Sequence, residues 1–396
     1  MIYPLAADTF GDEEIAAAKA VLDSRKLTMG ERVAAFERAF AAFVGAPHAV
    51  MVNSGSSANL IMVDAMLRRT HARGPLEPGD KVIVPALAWP TTVWPLVQLG
   101  LVPVFVDVDP QTLAIDFNKA HDVVGPRTRA VFLTHVLGRA ADTNAAQAFC
   151  EAHGLHLLED ACESLGARRV GRHVGTIGAM GSFSLYFSHH LSTIEGGVVV
   201  TRSGAVADDL RSLRAHGWTR DRSDREYWKT KYADIDERFL FIMSGYNVRP
   251  TEIQAAMGSV QLRRLPAMLD ARKTLAAIVA AHAETHTPWL ELIGASCAYD
   301  HSDEHSWMML PFRLRADAPF SLKDVKARLQ AVGVDTRPII AGNFVRHPAV
   351  QRMAFCAADD LSVADELFDR GFMIGCHPTM SPEATGELLT ALRTLA

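Results

Sequence analysis

The chain has 396 residues, which at roughly 150 residues a domain predicts two or three domains. Hydrophobic residues make up 49% of the sequence and charged residues 21%, a composition typical of globular enzymes that excludes disorder of the whole chain. Lysine and arginine number 40 against 45 aspartate and glutamate residues, so the formal net charge is −5. Without a basic excess, nucleic acid and anionic membrane surfaces are not expected as partners.

The first 22 residues lack the basic start and apolar run of a signal peptide, and acidic residues begin at Asp8. No stretch of about 18 apolar residues is free of charge, so no membrane span is expected and we predict a cytoplasmic protein. The cysteines form no CxC or CxxC pair, which favours separate thiols over a disulfide framework or a metal site. They are Cys150, Cys162, Cys297, Cys356 and Cys376.

The first half of the chain alternates short apolar runs with helical patterns, which is typical of a mostly parallel sheet covered by helices. The predicted strands are His48–Asn53, Lys81–Pro85, Val102–Val108, Arg129–Thr134 and Leu155–Glu159. The predicted helices between them include Ala58–Arg69, Thr91–Leu99 and Asn144–His153. Strands at Gly181–Phe187 and Gly197–Arg202 follow with no room for a helix, so the end of the sheet should contain an antiparallel element.

Residues 219–238 are polar and show no apolar period. We interpret them as a long ordered loop, because Tyr227, Trp228 and Tyr232 make the segment too aromatic for a solvated tether. Pro250–Arg264 predicts a helix, and Pro266 should kink it or open the next one.

The second half alternates more slowly and predicts a smaller α+β unit. Its predicted elements are strands at Trp307–Leu314 and near Val334–Pro338 and helices at Leu322–Val332, Ser362–Arg370 and Pro382–Leu395. We therefore divide the chain into a large α/β domain over residues 1–264 and a small C-terminal α+β domain over residues 265–396.

Three segments at strand ends carry side chains suited to a ligand. In MVNSGSSANL, Ser56 and Ser57 lie between a strand and a helix N-terminus, where backbone N–H groups and the helix dipole can hold a phosphate. Asp160 ends the strand LHLLED, and Trp89 follows the strand KVIVPA. The carboxyl edge of a parallel sheet is where such folds bind ligands, although helix caps and packing explain each residue equally well in isolation.

These segments, in this order and followed by SFSLYFSHHLSTIEGG, resemble the DegT/StrS sugar aminotransferase family. Those enzymes depend on pyridoxal 5′-phosphate (PLP) and have the type I aspartate aminotransferase fold, a large mixed-sheet α/β domain with a smaller C-terminal domain. The resemblance extends through LTMGERVAAFERAF, HVLGRAAD, GYNVRPTEIQAAMG and GVDTRP, and so covers essentially the whole chain.

The resemblance implies specific cofactor contacts. Asp160 would bind the pyridine nitrogen and keep it protonated, which makes the ring an electron sink, and Trp89 would stack on the ring. The other residues implied at the cofactor are Ser56, Ser57 and Ser184 at its phosphate, Glu163, and Asn247. Asn247 would reach the phosphate in a neighbouring subunit, which implies a homodimer with shared active sites.

One departure from the family pattern bears on the reaction. The family places the lysine that binds PLP covalently six residues before a Glu-Gly-Gly element, and counting back from Glu195 gives His189, followed by His190. No lysine occurs between Tyr186 and Arg202. Imidazole cannot replace the lysine amine, so the cofactor should be bound without a covalent link and the reaction should need a base rather than an amine.

SHHLSTIEGG and RAHGWTRD resemble the nucleotide-sugar 3-dehydratase branch of the family. In that branch the amine of pyridoxamine phosphate condenses with a 4-keto sugar, and a histidine, here His189, moves the proton that accompanies loss of the C3 hydroxyl. Glutamate then restores the pyridoxamine form. The implied substrate is a nucleotide-linked 4-keto-6-deoxyhexose. The resemblance favours GDP-4-keto-6-deoxymannose, as in the colitose pathway of lipopolysaccharide O-antigens, and CDP- and dTDP-linked sugars remain alternatives.

Other 3-dehydratases of this kind carry an iron–sulfur cluster, which the scattered cysteines here do not favour. His216 could orient the substrate or share the proton relay, while Arg220 or Arg337 could hold the glutamate carboxylate and Arg220 also the diphosphate. A purely structural role is the alternative for each. Two alternatives to a dehydratase stay open, a nucleotide-sugar aminotransferase and a catalytically inactive family member.

Overall fold

The computed structural model describes residues 3–68, 74–295 and 304–395. Arg69, the predicted end of a helix, and Cys297 lie outside these residues. The helices are α1 (Asp12–Ser24), α2 (Glu31–Val44), α3 (Gly55–Arg68), α4 (Pro90–Gln98), α5 (Phe117–Ala120), α6 (Thr143–His153), α7 (Gly204–Arg214), α8 (Arg225–Lys231), α9 (Glu252–His286), α10 (Leu322–Ala331), α11 (Ser362–Arg370) and α12 (Pro382–Arg393). The strands are β1 (His48–Val52), β2 (Lys81–Pro85), β3 (Val102–Val106), β4 (Thr128–Thr134), β5 (His156–Asp160), β6 (Arg168–Arg169), β7 (Arg172–His173), β8 (Met180–Ser184), β9 (Gly197–Thr201), β10 (Leu290–Leu292), β11 (Met309–Leu314), β12 (Cys356–Ala357) and β13 (Gly371–Gly375).

The main sheet has the strand order β1-β9-β8-β5-β4-β2-β3-β12. Strand β9 runs antiparallel to both of its neighbours, β1 and β8, and the other neighbouring pairs are parallel. The predicted antiparallel element is therefore confirmed. Since β1, β2, β4, β5 and β8 all point the same way, their carboxyl ends meet at one edge of the sheet.

Helices cover both faces of this sheet, which is why its strands are nearly continuous apolar runs. On one face, side chains of α3, α4 and α7 pack against strand residues that include Val84, Phe132 and Leu158. On the other face, α2 and α9 pack against residues that include Met51 and Phe183. The main sheet is thereby held rigid, and its carboxyl edge can present side chains in defined positions.

Helix α9 runs without interruption through Pro266. The expectation that this proline opens a second helix is wrong, because Leu265 and Met268 on either side of it are buried against the main-sheet core. The C-terminal part of α9 contributes Leu275 and Val279 to a different core, that of the smaller sheet. The division at residue 264 thus lies inside a helix that serves both cores, and the two-domain description stays a prediction.

The smaller sheet has the order β10-β11-β13 and is antiparallel throughout. The strand expected near Val334–Pro338 is absent from the structure, which has only isolated pairings of Val334 with Tyr3 and Arg337 with Met373. Strand β13 was not predicted from the sequence, since it follows α11 directly with no turn residues between them.

The segment 219–238, predicted as a loop, contains the short helix α8. Its sequence lacks an apolar period because α8 buries none of its side chains. Trp228 and Tyr232 stack on each other instead, with ring centroids 6.2 Å apart, and the Lys231 ammonium lies 5.2 Å from the Trp228 ring centroid. None of the described helices is both long and apolar enough to cross a membrane.

Candidate active site

A cavity of about 390 Å³ lies at the carboxyl edge of the main sheet, against the smaller sheet. The end of β5 and the segments after β1, β2 and β8 supply most of its polar lining, while apolar side chains of the C-terminal part form the opposite wall. The predicted site residues that line it are Ser56, Trp89, Asp160, Glu163, Ser184 and His189. The apolar wall consists of Met308, Met309, Ile340 and Met373.

Asp160 is 4% exposed and ends β5. Its Oδ2 accepts hydrogen bonds from Thr92 Oγ1 at 2.7 Å and from Asn59 Nδ2 at 2.8 Å, while Oδ1 accepts one from the Cys162 N–H at 3.1 Å. All three donors are uncharged, so an anionic carboxylate is stabilised without a neutralising cation among them. Asp160 can therefore pair with a cationic group in the cavity.

The turn after β1 brings small residues against the end of β8. A Cβ atom on Gly55 would lie 2.6 Å from Cβ of Ser184, so only glycine allows this approach. Ser54 Oγ accepts a hydrogen bond from the Ser57 N–H at 3.1 Å, which starts α3. Ser56 is exposed and lines the cavity, whereas the Ser57 hydroxyl is 3.0 Å from that of Ser54 and does not line it.

Trp89 immediately precedes Pro90, the first residue of α4, and is 54% exposed on the cavity. A large aromatic side chain left this exposed in one chain is unusual for a residue whose role is packing. Its position on the lining suits a stacking surface for a planar ligand.

His189 lies on the cavity, and its Nδ1 is 2.9 Å from the carbonyl oxygen of Cys162. A carbonyl oxygen can only accept, so Nδ1 carries the proton and Nε2 is the unprotonated nitrogen of the neutral ring. Burial lowers the pKa of His189 to about 4. At neutral pH the side chain is therefore an unprotonated base.

His190 points away from the cavity and is 1% exposed. Its Nε2 donates to the Ser306 carbonyl oxygen at 3.1 Å, just before the lining residue Met308. The Arg272 guanidinium donates to the Met308 carbonyl oxygen at 3.0 Å. His190 and Arg272 thus hold residues 306–308, which precede and form part of the apolar wall. Of the two histidines, His189 is the one that lines the cavity.

Glu163 lines the cavity three residues after Asp160. Burial raises the pKa of its carboxyl group to about 8, and the charge of Asp160 adds to this increase. A 2.9 Å hydrogen bond from the Leu137 N–H acts in the opposite direction and lowers the pKa. Glu163 is therefore mostly protonated at neutral pH and can donate a hydrogen bond to a ligand, which an ionised glutamate could not do.

Four other predicted site residues lie on the surface of the chain and do not line the cavity: His216, Arg220, Asn247 and Arg337. The Arg220 guanidinium lies 5.4 Å from the Trp218 ring centroid, and Asn247 Oδ1 accepts from Arg249. The His216 N–H donates to the carbonyl oxygen of Tyr246 at 2.7 Å, which brings His216 beside Asn247 on one surface. Arg337 pairs with the backbone of the lining residue Met373, and its side chain bonds Asp335.

Sequence reasoning missed the polar residues that hold Asp160. Asn59 and Ser182 are fully buried and Thr92 is 1% exposed. The one available signal was Asn59, a polar residue that interrupts the apolar face of a helix. Asn59 and Thr92 lie 101 and 68 residues from Asp160 along the chain, so no local pattern connects them with it.

Comparison with known proteins identifies the same family along nearly the whole chain. The model of the DegT/DnrJ/EryC1/StrS aminotransferase family matches residues 8–393. A GDP-4-keto-6-deoxy-D-mannose 3-dehydratase of Yersinia pseudotuberculosis is 35% identical over 394 residues, which cover 99% of this chain and 98% of that protein.

Two crystal structures of GDP-4-keto-6-deoxymannose-3-dehydratase are each 34% identical to this chain. One is a histidine-to-asparagine mutant with bound GDP-perosamine; its TM-score is 0.89, with 98% of this chain and 100% of that chain covered. The other holds a trapped PLP-glutamate geminal diamine; its TM-score is 0.88, with 99% of both chains covered. The predicted aminotransferase fold is confirmed, and the chain belongs to the DegT/DnrJ/EryC1/StrS aminotransferase family.

Proposed function

We propose that this protein is a nucleotide-sugar 3-dehydratase that depends on PLP and pyridoxamine phosphate. It removes the C3 hydroxyl of a 4-keto-6-deoxyhexose, with GDP-4-keto-6-deoxymannose as the preferred substrate and glutamate as the second substrate. The observation that carries this proposal is His189, an unprotonated base on the cavity at the position where a family aminotransferase has its lysine. The relatives that bind GDP-perosamine and a PLP-glutamate adduct support both substrates.

The cavity residues fit a PLP cofactor. Asp160 offers an uncompensated carboxylate to the pyridine nitrogen, and Trp89 offers a ring face. The phosphate fits the N-terminus of α3, where Gly55 leaves the approach open and Ser56 and Ser184 supply hydroxyl groups. When bound, pyridoxamine phosphate supplies an amine that condenses with the sugar ketone and a ring that accepts electrons.

His189 then handles the proton. With the cofactor bound, its unprotonated Nε2 would accept the proton released at the C4′ carbon and would donate it to the C3 hydroxyl group of the sugar. Protonation of that oxygen makes it leave as water. Met308 and Met309 would form an apolar wall beside the reacting atoms.

Product analysis tests this function. The protein would be incubated with glutamate, PLP and a panel of GDP-, CDP- and dTDP-linked 4-keto-6-deoxy sugars. We expect a 4-keto-3,6-dideoxy sugar and ammonia, fastest from the GDP sugar. An amino sugar as the main product would instead indicate an aminotransferase, and the absence of any glutamate-driven change in the PLP absorbance would indicate an inactive protein.

Borohydride treatment tests the non-covalent cofactor. No lysine occurs among the described residues that line the cavity, so reduction of the PLP-loaded protein should leave no pyridoxyl group on the chain. Mass spectrometry of the digested protein is the measurement. Recovery of a reduced pyridoxyl-lysine peptide from the active site would contradict the proposal.

The active unit is proposed to be a homodimer in the cytoplasm. Asn247, His216 and Arg220 would complete the cavity of a second copy, Asn247 at the cofactor phosphate and the other two at the substrate. The exposed side chains of Phe239 and Phe241, 63% and 50% accessible, lie on the same segment and suit a subunit interface. Arg337 is the alternative holder of the glutamate carboxylate.

Sedimentation measures this assembly. At working concentration we expect no active monomer, because the surface position of Asn247 leaves the phosphate site of an isolated chain incomplete. Asn247→Ala should weaken cofactor binding without moving any residue of its own cavity. A stable monomer that turned over at the full rate would contradict the shared site.

A further inference from the structure

Three buried polar residues from three elements form a hydrogen-bond network beside the carboxylate of Asp160. Thr92 comes from α4, Asn59 from α3 and Ser182 from β8, and all three residues are at most 1% exposed. Only Thr92 and Asn59 touch the carboxylate directly, both at Oδ2. The Cys162 N–H occupies one acceptor position of Oδ1.

The orientation of the Asn59 amide is determined by its other contacts. Its Oδ1 accepts a hydrogen bond from Ser182 Oγ at 2.5 Å, and its Nδ2 donates to the Thr91 carbonyl oxygen at 3.0 Å. The Thr91 carbonyl oxygen can only accept, and a turned amide would place Oδ1 against it, so the amide nitrogen must face both Thr91 and Asp160. Ser182 supports this orientation by donating to Asn59 Oδ1 from the opposite side of the amide.

This arrangement acts on both the charge and the direction of the carboxylate. A buried carboxyl group without donors tends to take up a proton, and donors that face both oxygens favour the ionised form. Oδ2 accepts hydrogen bonds from two side chains, whereas the backbone N–H of Cys162 donates to Oδ1. A cation in the cavity is therefore expected to pair with Oδ1, which the side chains of Asn59 and Thr92 do not contact.

We propose that Asn59, Thr92 and Ser182 are positioning residues that hold the Asp160 carboxylate through Oδ2 and thereby set the proton affinity of a pyridine nitrogen bound beside it. The inference rests on the proposed function, because it requires a pyridine cofactor in the cavity. It assigns to these residues an electronic effect on the cofactor, in addition to their packing.

The test uses the full-length protein reconstituted with PLP labelled with ¹⁵N at the ring nitrogen. The ¹⁵N chemical shift reports ring protonation directly and is followed as a function of pH. In the wild type we expect the nitrogen to stay protonated across the neutral range. Thr92→Val and Asn59→Leu each remove one donor to a charged group, which should lower the apparent proton affinity of the ring by about 10- to 100-fold.

Conservative and matched variants separate this effect from a loss of packing. Thr92→Ser keeps the hydroxyl and should restore the wild-type titration, while Ser182→Ala should give a smaller shift because Ser182 contacts Asn59 and not the carboxylate. Thr201→Val is the matched control, since Thr201 is also buried and bonds the Ala179 carbonyl oxygen at 3.1 Å, but away from the cavity. It should leave the ¹⁵N titration unchanged.

The outcomes distinguish this inference from the proposed function. A wild-type ¹⁵N titration in Thr92→Val and Asn59→Leu proteins that bind PLP would overturn the inference alone. A shift of equal size in Thr201→Val would also overturn it, because the effect would then be general. If the wild-type protein bound no PLP, the proposed function and the inference would both be wrong.

Discussion

Replacing His189 with asparagine should reduce dehydration by about 10²- to 10⁴-fold, the usual cost of losing a general base, while PLP still binds. Asparagine keeps a polar side chain of similar size, and its amide cannot accept the proton that imidazole Nε2 accepts. Cofactor binding should survive, since Asp160, Trp89 and the phosphate contacts are unchanged. The measurements are the rate of keto-dideoxy sugar formation and the PLP absorbance.

His190→Asn is the control for this change. His190 holds Ser306 rather than facing the cavity, so its loss should affect stability more than turnover. His189→Lys restores an amine, and we expect dehydration to fall again with traces of amino sugar. Turnover abolished by His190→Asn but retained in His189→Asn would contradict the assignment of the base.

The pH dependence of the same reaction follows from the neutral state of His189. Burial lowers the pKa of His189 to about 4, so the side chain is already deprotonated at neutral pH. As the pH falls toward that value, protonation removes the base and kcat/KM should decline. The His189→Asn variant should lack this decline.

Asp160→Asn should reduce dehydration by about 10²- to 10³-fold, the loss expected when one preorganised electrostatic contact is removed from an active site. The amide has the same shape but no charge, so the ring nitrogen loses the group that keeps it protonated and the ring becomes a weaker electron sink. Single-turnover dehydration with preloaded pyridoxamine phosphate measures this step separately from cofactor binding.

The adjacent residue provides the matched control. Glu159 is fully buried, and its carboxylate is 3.1 Å from His135 Nε2 and accepts from the Gly175, Ile177 and Gly178 N–H groups. Burial opposes ionisation of Glu159, but these contacts prevail and lower its pKa. Glu159→Gln should therefore cost about 1.5–3 kcal/mol of unfolding free energy. Dehydration by the folded fraction should be unchanged; a loss as large as that of Asp160→Asn would show that the effect is structural.

Much of the fold was predictable because the strands of the main sheet are short apolar runs separated by helices. For β1 to β5, β8 and β9, the predicted ends lie within three residues of the observed ends. The predictions of secondary structure were wrong where packing in the folded chain overrides the preference of the local sequence. Pro266 lies within a helix buried on both sides of it, and α8 has no apolar face because none of its side chains is buried.

The sequence by itself determined the family, the fold and the order of the strand-end residues, including a histidine at the lysine position. Those features are local, since a strand end and a six-residue count need no knowledge of the rest of the chain. Tertiary structure alone decided which atoms are free to react. The unprotonated state of His189 Nε2 depends on the carbonyl of Cys162, and the occupied Oδ2 of Asp160 depends on Asn59 and Thr92. Hydrogen-bond partners this far apart in sequence meet only through the register of the sheet and the packing of helices against it.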